Sequence, residues 1–300
     1  MKLKVAVIGL GGIAQKAYLP VFAELENVEV HLYTRDMTKL KNLSEKYRFH
    51  YLHQSIDSVI SAGVQAAFVH SSTASHAEIV RQLIENRIAV YVDKPISDKI
   101  AEARELTELA KAKQVPLMTG FNRRFAPVYQ ELKQLSDANM VVMQKNRANS
   151  VGAAETFIYD DFIHVVDTVR FLLDGNIERF EVYPLFQGEE LASLTVQFVS
   201  DGRVATAIMN RDSGVAEEKL EVFTPAGKWT ALDLQELEVK TGTSLRKERF
   251  GDWEKTLYKR GFVQIVTAFL ASVAENRAMP ISAEDALETH ELCEKILRAL

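Results

Sequence analysis

The first 120 residues alternate short apolar runs with longer stretches of helical periodicity. Strands that alternate with helices predict parallel βαβ units in a doubly wound sheet. The apolar runs lie at 4–10, 28–34, 66–72, 88–93 and 115–121, and helical stretches extend to Leu25 and over 38–47, 75–86 and 98–113. We therefore expect an N-terminal Rossmann-type sheet with helices on both faces.

After Phe121 the hydrophobic pattern changes. One amphipathic helical stretch at 160–175 is followed by two pairs of strand-like runs. The members of the first pair are separated by Asp201-Gly202, and those of the second by Pro225-Ala226-Gly227. Consecutive strands joined by tight turns predict an antiparallel sheet.

Two more helical stretches, at 261–275 and 282–299, close the chain. The fold class that we expect is α/β, with a Rossmann doubly wound parallel sheet followed by an α+β domain whose sheet is mainly antiparallel. We place the dinucleotide-binding domain at 1–120 and the substrate-binding and oligomerisation domain at 121–300. The cleft between two such domains is the default ligand site.

A glycine-rich loop directly follows the first apolar run. Its residues, Gly9 to Ala14, fit the pattern G-x-G-x-x-A at the point where a strand gives way to a helix. Gly9 permits the tight turn and Gly11 lets the backbone approach a pyrophosphate, while amides at the start of the helix bind the anion. We expect Gly9, Gly11, Gly12 and Ile13 to bind the cofactor. A purely structural glycine turn is the alternative.

The end of the second strand bears on the choice of dinucleotide. An NAD site usually has Asp or Glu at this point to bind the ribose 2′-hydroxyl. Here Thr34 and Arg35 stand there, and a guanidinium pairs with the 2′-phosphate of NADP. NADP is therefore favoured, with NAD as the alternative if Arg35 is an ordinary surface residue and Asp36 binds the ribose.

The ends of later strands carry further polar residues. Ligands of open α/β sheets bind at the carboxyl ends of the strands. If the strand order is Rossmann-like, Lys94 lies near the nicotinamide position, where it can hydrogen-bond a substrate oxygen. Pro95 fixes the backbone there, and we expect a trans Lys94–Pro95 bond, because cis is the minority isomer. The polar groups are Ser71, Ser72 and Thr73 with His76, then Asp93 and Lys94, then Asn122, Arg123 and Arg124.

The helical stretch at 160–175 carries a second candidate cluster. At about 100° per residue, Asp160, His164 and Asp167 share a side opposite an apolar stripe. A histidine with a pKa near neutrality can take or return a hydroxyl proton, with a carboxylate fixing its tautomer. Plain surface and a metal site built from one His and two carboxylates are the alternatives.

These segments, taken together and in order, resemble the Gfo/Idh/MocA family of NAD(P)-dependent oxidoreductases. The resemblance is dense over roughly residues 1–175 and weak in the sheet beyond, apart from the closing helix. It rests on VIGLGGIA, HSSTASHAEIV, YVDKP, GFNRRFAP, DDFIHVVDTVRFLLDG and ISAEDALETHELCEKI.

The resemblance implies roles for individual residues. Lys94 is then the lysine of the E-K-P motif, here D-K-P, which contacts the nicotinamide region and the reacting oxygen. His164 is the general acid/base and Asp160 the other catalytic or substrate-orienting residue, while Asp167 is mainly structural. The resemblance also implies that Ser71, Ser72, Thr73 and His76 belong to the cofactor site, and that Asn122 and Arg124 belong to the substrate site.

Composition excludes several classes of protein. With 47% hydrophobic and 26% charged residues the chain has the composition of a globular protein, and its net charge of −5 gives no general attraction to nucleic acid or anionic membranes. The one cysteine, Cys293, rules out an internal disulfide. The sequence contains no stretch of about 20 apolar residues, which is the length that a membrane-spanning helix needs. We expect a cytoplasmic protein with no metal.

The function that we expect is hydride transfer between NADP(H) and a carbon bearing a hydroxyl or carbonyl group on a sugar, polyol or related small molecule. A sensor or regulator that binds NAD(P) without turning it over is the alternative, and a metal-dependent hydrolase is a third hypothesis. The C-terminal sheet is expected to pair with a second copy of the chain, which gives a homodimer or a higher homo-oligomer.

Overall fold

The computed structural model describes residues 2–174 and 176–300. The chain forms two compact units. The first contains residues up to Gly120 together with Phe262–His290, and the second contains Phe121–Gly261 together with Glu291–Leu300. The division into a cofactor domain at 1–120 and a substrate domain at 121–300 stays a prediction; in the structure the segment 262–290 belongs with the first unit.

The first unit contains a six-stranded parallel sheet in the order β3-β2-β1-β4-β5-β6. Its central strands β1, β4 and β5 are almost entirely buried, as their runs of Val, Ala and Ile require. The strands are β1 Leu3–Ile8, β2 Val28–Tyr33, β3 Tyr51–His53, β4 Ala66–Val69, β5 Ala89–Val92 and β6 Leu117–Thr119. The expected Rossmann-type sheet is confirmed.

Helices connect these strands. A π-helical turn, Ala14–Tyr18, leads into the first of them, and the edge strand β3 and the helix after it had no counterpart in the sequence analysis. The helices are α1 Leu19–Phe22, α2 Met37–Tyr47, α3 Ile56–Ser61, α4 Thr73–Glu85 and α5 Ile100–Lys113.

The second unit contains an eight-stranded sheet in the order β14-β13-β12-β11-β7-β10-β9-β8. Only β7 and β10 run parallel to each other; the other neighbours are antiparallel, so the expected mainly antiparallel sheet is confirmed. The strands are β7 Met140–Asn146, β8 Arg179–Gln187, β9 Glu190–Ser200, β10 Arg203–Asn210, β11 Glu217–Thr224, β12 Gly227–Leu232, β13 Glu236–Thr241 and β14 Ser244–Arg249.

The two hairpins predicted from their turn residues are both present. β9 pairs antiparallel with β10 around Asp201-Gly202, and β11 pairs antiparallel with β12 around the turn that ends at Gly227. The helices of this part of the chain are α6 Pro127–Lys133, α7 Ala154–Thr156, α8 Ile163–Leu173 and α9 Thr256–Lys259, and the closing ones are α10 Phe262–Ala274 and α11 Ala283–Leu297.

The long helix expected at 160–175 is replaced by two elements. Phe157–Phe162 forms a π-helical turn and α8 begins only at Ile163. A π-helical turn has more residues per turn than an α-helix, so the phase of about 100° per residue does not hold before Ile163. The last residue of the expected helix, Gly175, lies outside the described residues.

Candidate active site

The carboxyl ends of the first unit's strands are aligned by one continued hydrogen-bond ladder. Gly9 N–H donates to Tyr33 O at 2.9 Å, His70 N–H to Ile8 O at 2.7 Å and Asp93 N–H to Val69 O at 2.9 Å. Each donor is the first residue after its strand. The loops that begin at Gly9, His70 and Asp93 therefore start side by side, and the candidate residues of three loops share one edge of the sheet.

The glycine loop packs directly on the end of β4. Gly9 has φ +85°, and a Cβ placed there would lie 2.4 Å from Ser71 N, so no other residue fits without moving the backbone. A Cβ at Gly12 would meet nothing within 4 Å, and one at Gly11 would only approach His70 O at 3.9 Å. The loop thus has the backbone contact and the open space that a bound pyrophosphate needs.

The end of β2 presents Thr34, which is half-buried, and Arg35, which is exposed. The neighbouring carboxylate is engaged elsewhere: Asp36 is the N-cap of α2, and its side chain accepts from Lys39 N–H at 2.9 Å. This hydrogen bond lowers the pKa of Asp36. The cation at this strand end is therefore open to solvent, whereas the carboxylate holds a helix terminus.

The loop after β4 and the first turn of α4 are rich in hydroxyl side chains. Ser75 Oγ, in that first turn, donates back to the loop, where it lies 2.9 Å from Ser71 Oγ and 2.8 Å from Ser72 O. Thr73 begins α4. The predicted cofactor residues Ser71, Ser72 and Thr73 thus occupy one short turn at the sheet edge.

His76 links two loops from a buried position. Its Nδ1 lies 2.9 Å from Pro95 O and its Nε2 lies 3.1 Å from Ser71 O. Burial lowers the pKa of His76, and the two carbonyl contacts oppose that effect. With a carbonyl oxygen at each ring nitrogen, the imidazole connects the loop after β4 to the loop after β5.

The Lys94–Pro95 peptide bond is cis, which corrects the expectation of a trans bond. The tertiary amide of an X–Pro bond has only a small preference for trans, so the surrounding structure decides the isomer. Lys94 is half-buried, and its N–H donates to Asp93 Oδ1 at 2.9 Å.

Sequence reasoning missed a third support of the lysine loop. Ile96 N–H donates to His290 Nε2 at 3.0 Å, and His290 Nδ1 lies 2.8 Å from Ala286 O. The side chain of His290 is fully buried in α11. Nε2 accepts in this arrangement and Nδ1 donates, so the tautomer is fixed by its two partners. The one signal in the sequence that could have indicated this role is the helical spacing of His290 from the apolar residues Ala286 and Cys293.

In the second unit, the Asn122-Arg123-Arg124 segment is buried rather than open. Asn122 Nδ2 donates to Arg260 O at 2.8 Å. Arg124 forms a bidentate ion pair with Asp167, with Nη2 2.7 Å from Oδ1 and Nε 3.0 Å from Oδ2. The guanidinium that was expected at the substrate site is therefore engaged by a buried carboxylate.

Arg123 is held in the same way. Its Nε and Nη2 donate to the two oxygens of Glu218 at 2.8 and 2.7 Å, and Tyr129 Oη donates to Glu218 Oε1 at 3.0 Å. Although burial alone raises the pKa of Glu218, the charge of Arg123 lowers it to about 2. This pair joins the segment after β6 to β11.

The predicted Asp160, His164 and Asp167 side does not form one exposed face. Asp160 is exposed and His164 is half-buried, but Asp167 is buried with Arg124. The π-helical turn changes the helical phase between Asp160 and α8. Asp167, seven residues after Asp160, faces the core. The two predicted catalytic residues of this unit are thus the accessible members of the set.

Two cations that the sequence analysis missed hold the turn that carries Asp160. The neighbouring residue, Asp161, contacts Lys145 Nζ, and Arg147 Nη2 lies 2.9 Å from Asp161 Oδ1. Burial and then the charge of Arg123 lower the pKa of Lys145 to about 7. Lys145 and Arg147 stand on and just after β7, where a lysine and an arginine in a strand resembled ordinary surface residues.

Across residues 2–174 and 176–300, no helix is long and apolar enough to cross a membrane. The same residues contain no group of three or more His, Cys, Asp and Glu side chains placed to hold a metal ion.

Known proteins share this arrangement along the whole chain. A family described as oxidoreductases with an NAD-binding Rossmann fold matches residues 3–121, and a YceM-like C-terminal domain matches residues 127–242. YceM of Salmonella typhimurium, assigned by name to the oxidoreductases, is 34% identical over 99% of this chain and 97% of its own. Inositol 2-dehydrogenase 3 of Saccharopolyspora erythraea is 25% identical over 100% of this chain and 94% of its own.

A solved structure shows the same fold. The dehydrogenase MviM from Clostridium difficile matches with a TM-score of 0.94 and 31% sequence identity, and the match covers 100% of both chains.

A Rossmann unit with an open glycine loop, together with these matches, identifies an NAD-binding oxidoreductase. The chain belongs to the Gfo/Idh/MocA family of oxidoreductases. The resemblance, the fold class and the expectation of an enzyme are confirmed at this level. The assignments of individual site residues stay predictions.

The Arg123–Glu218 pair predicts how stability depends on pH. The folded-state pKa of Glu218, about 2, lies below its ordinary value of 4.5, so the pair's contribution is present above pH 4.5 and is lost as the pH falls towards 2. Glu218→Gln leaves a buried guanidinium unpaired and should cost about 3–5 kcal/mol at neutral pH. Urea unfolding should show this difference shrinking between pH 4.5 and 2.

Glu189→Gln, in the exposed turn between β8 and β9, is the matched control and should unfold like the wild type at every pH. A Glu218→Gln deficit that stays constant from pH 7 to pH 2 would contradict the depressed pKa of Glu218.

Proposed function

We propose that the protein transfers hydride between NADP(H) and a carbon that bears a hydroxyl or carbonyl group on a sugar, a polyol or a related small molecule. The observation that carries this proposal is the aligned strand edge, where the Gly9 loop and the loop of Lys94 begin at the same level on either side of the loop after β4. The inositol dehydrogenase among the relatives supports a polyol-like substrate.

The bound dinucleotide supplies the hydride acceptor or donor, and this chain's own residues handle the substrate's oxygen and its proton. Lys94, half-buried at the end of β5, donates a hydrogen bond to the reacting oxygen. His164 takes the hydroxyl proton during oxidation and returns it during reduction, since an imidazole exchanges protons near neutral pH. Asp160 orients the substrate beside it.

The buried ion pairs revise the substrate residues within this proposal. Because Arg124 is bound to Asp167, its role is to fix the start of the second unit against α8 rather than to bind substrate directly. Asn122 is likewise held by Arg260 O. His76 supports the cofactor loops through Ser71 O and Pro95 O.

NADP is preferred over NAD in this proposal because Arg35 is exposed at the end of β2 while Asp36 caps α2. A free Asp36 carboxylate would favour the ribose 2′-hydroxyl of NAD, but its hydrogen bond to Lys39 N–H holds it at the helix terminus.

Thermal unfolding with equal concentrations of NADPH and NADH tests the preference. A ligand that binds only the folded state stabilises it by about 2.7 kcal/mol at one hundred times its Kd, so NADPH should raise the Tm more than NADH does. Arg35→Ala should remove that difference and leave the NADH shift unchanged. Lys41→Ala, which removes an exposed cation of α2, is the control. A larger shift with NADH in the wild type would refute the NADP assignment.

The role of Lys94 is tested by Lys94→Met, which keeps the length of the side chain and removes its donor. Turnover, followed at 340 nm with a panel of polyols and sugars, should fall by at least about a thousandfold, while the Kd for NADPH stays within a few-fold. Lys99→Met is the matched control, since the Lys99 side chain is 72% exposed, and should keep full activity. Near-normal turnover by Lys94→Met would exclude the catalytic assignment.

We also propose that the open face of the eight-stranded sheet pairs with a second copy of the chain. Along β7, buried Val141 and Met143 alternate with half-buried Val142 and Gln144, and α8 packs on β7 and β10 from the buried side. The other face carries Met140, Val142, Val199, Val204 and Ile208 without a covering helix in the described part of this unit.

Ile208→Glu places a charge in the middle of that face and should convert the oligomer to a monomer in sedimentation equilibrium, because an uncompensated charge at an interface costs several kcal/mol. Val215→Glu, at a residue that is 57% exposed in the loop after β10, should leave the mass unchanged. A wild-type protein that sediments as a monomer would end this proposal.

A further inference from the structure

His70 is a buried imidazole with no hydrogen-bond partner in the described part of the chain. Its side chain is 0% exposed, and neither Nδ1 nor Nε2 makes a hydrogen bond among the described residues. A buried polar atom that makes no hydrogen bond destabilises the folded state, so a histidine at such a place calls for a physical reason. It follows β4 directly and lies next to the backbone of the glycine loop.

One carboxylate stands within reach of that imidazole. His70 Nδ1 lies 3.7 Å from Asp93 Oδ2, while Asp93 Oδ1 accepts from Lys94 N–H at 2.9 Å. The two oxygens of one carboxylate therefore face His70 on one side and the backbone of Lys94 on the other. Burial alone raises the pKa of Asp93, but His70, followed by Lys94 and His76, holds it below its ordinary value.

The aromatic groups around His70 hold its ring in place but form no hydrogen bond with its nitrogens. The Tyr18 ring lies 3.8 Å from the His70 ring, centroid to centroid, at an interplanar angle of 31°. The Tyr18 and Tyr91 hydroxyls contact each other at 2.8 Å, and burial raises the pKa of both well above 10.0, so they stay neutral. Asp93 is the carboxylate among the titratable groups on these packed elements. The others are Tyr18, Tyr91, Lys94 and His76.

We propose that His70 is a positioning residue: it holds the Asp93 carboxylate in place against the amide of Lys94, and so fixes the direction in which Lys94 leaves the end of β5. A closure of well under 1 Å brings Nδ1 and Oδ2 from 3.7 Å to hydrogen-bond distance. The benefit of this arrangement to catalysis rests on the proposed function, whereas its effect on Lys94 itself does not.

When His70 is absent, Asp93 Oδ2 loses the imidazole on its side, and among the described residues only the hydrogen bond that Oδ1 accepts from Lys94 N–H still positions the carboxylate. The carboxylate then turns towards the ammonium group of Lys94, which favours the charged form and lowers the fraction of free amine that can be acetylated. The reactivity of Lys94 therefore reports the state of His70 in the neighbouring loop.

Competitive trace acetylation at pH 8, read by mass spectrometry, measures that reactivity with Lys99 of the same molecule as the internal standard. His70→Leu should slow the labelling of Lys94 relative to Lys99 by about threefold, which equals half a pKa unit. His70→Asn, whose amide presents a donor close to the position of Nδ1, should restore the wild-type ratio. In an Asp93→Asn background, His70→Leu should have no further effect.

Equal labelling of Lys94 in the wild type and in His70→Leu overturns the proposal, and so does an equal slowing in His70→Leu and His70→Asn, since that pattern reports packing alone. If His70→Leu does not fold, His70→Gln replaces it, because its donor lies near the Nε2 position and should not rescue Lys94. The labelling needs no substrate, so a failed turnover assay counts against the proposed function and leaves this test intact.

Discussion

The candidate cofactor site depends on the hydrogen-bond ladder that continues one residue past the ends of the parallel strands. In each case the backbone N–H of the first loop residue donates to the neighbouring strand, and the acceptors are Tyr33 O, Ile8 O and Val69 O. Parallel strands by themselves align only their backbones. Because the ladder includes Gly9, His70 and Asp93, three loops leave the sheet at one level, and short side chains suffice to connect them. The contacts of His76 with Ser71 O and Pro95 O are of this kind.

A different constraint organises the second unit, where charged side chains are buried in matched pairs. Arg123 with Glu218 and Arg124 with Asp167 are both bidentate. Removing one partner of such a pair leaves an uncompensated buried charge, which costs far more than the pair itself contributes. The segment after β6 therefore has one well-defined position. The turn that carries Asp160 is fixed by the same means, through the contacts of Asp161 with Lys145 and Arg147.

Sequence patterns predicted the features that depend on neighbouring residues. The βαβ alternation, the hairpin at Asp201-Gly202 and the glycine loop are all local in the chain. The features that the sequence analysis missed depend on distant partners: Arg123 pairs with Glu218, 95 residues away, and Arg124 pairs with Asp167, 43 residues away. The π-helical turn at Phe157–Phe162 has no distinctive composition, so periodicity extended α8 through it and set the phase of Asp160 incorrectly. Asp167 lies within α8 itself and is buried because it pairs with Arg124.

The contact between Ile96 and His290 joins residues 194 positions apart, and both belong to the first unit. All six strands of the parallel sheet lie within the first 120 residues. The loop that follows Lys94 gains this contact only after α11 has been synthesised. The lysine loop is thus completed by one of the last segments to be synthesised, and a chain that ends before α11 lacks the contact that holds Ile96.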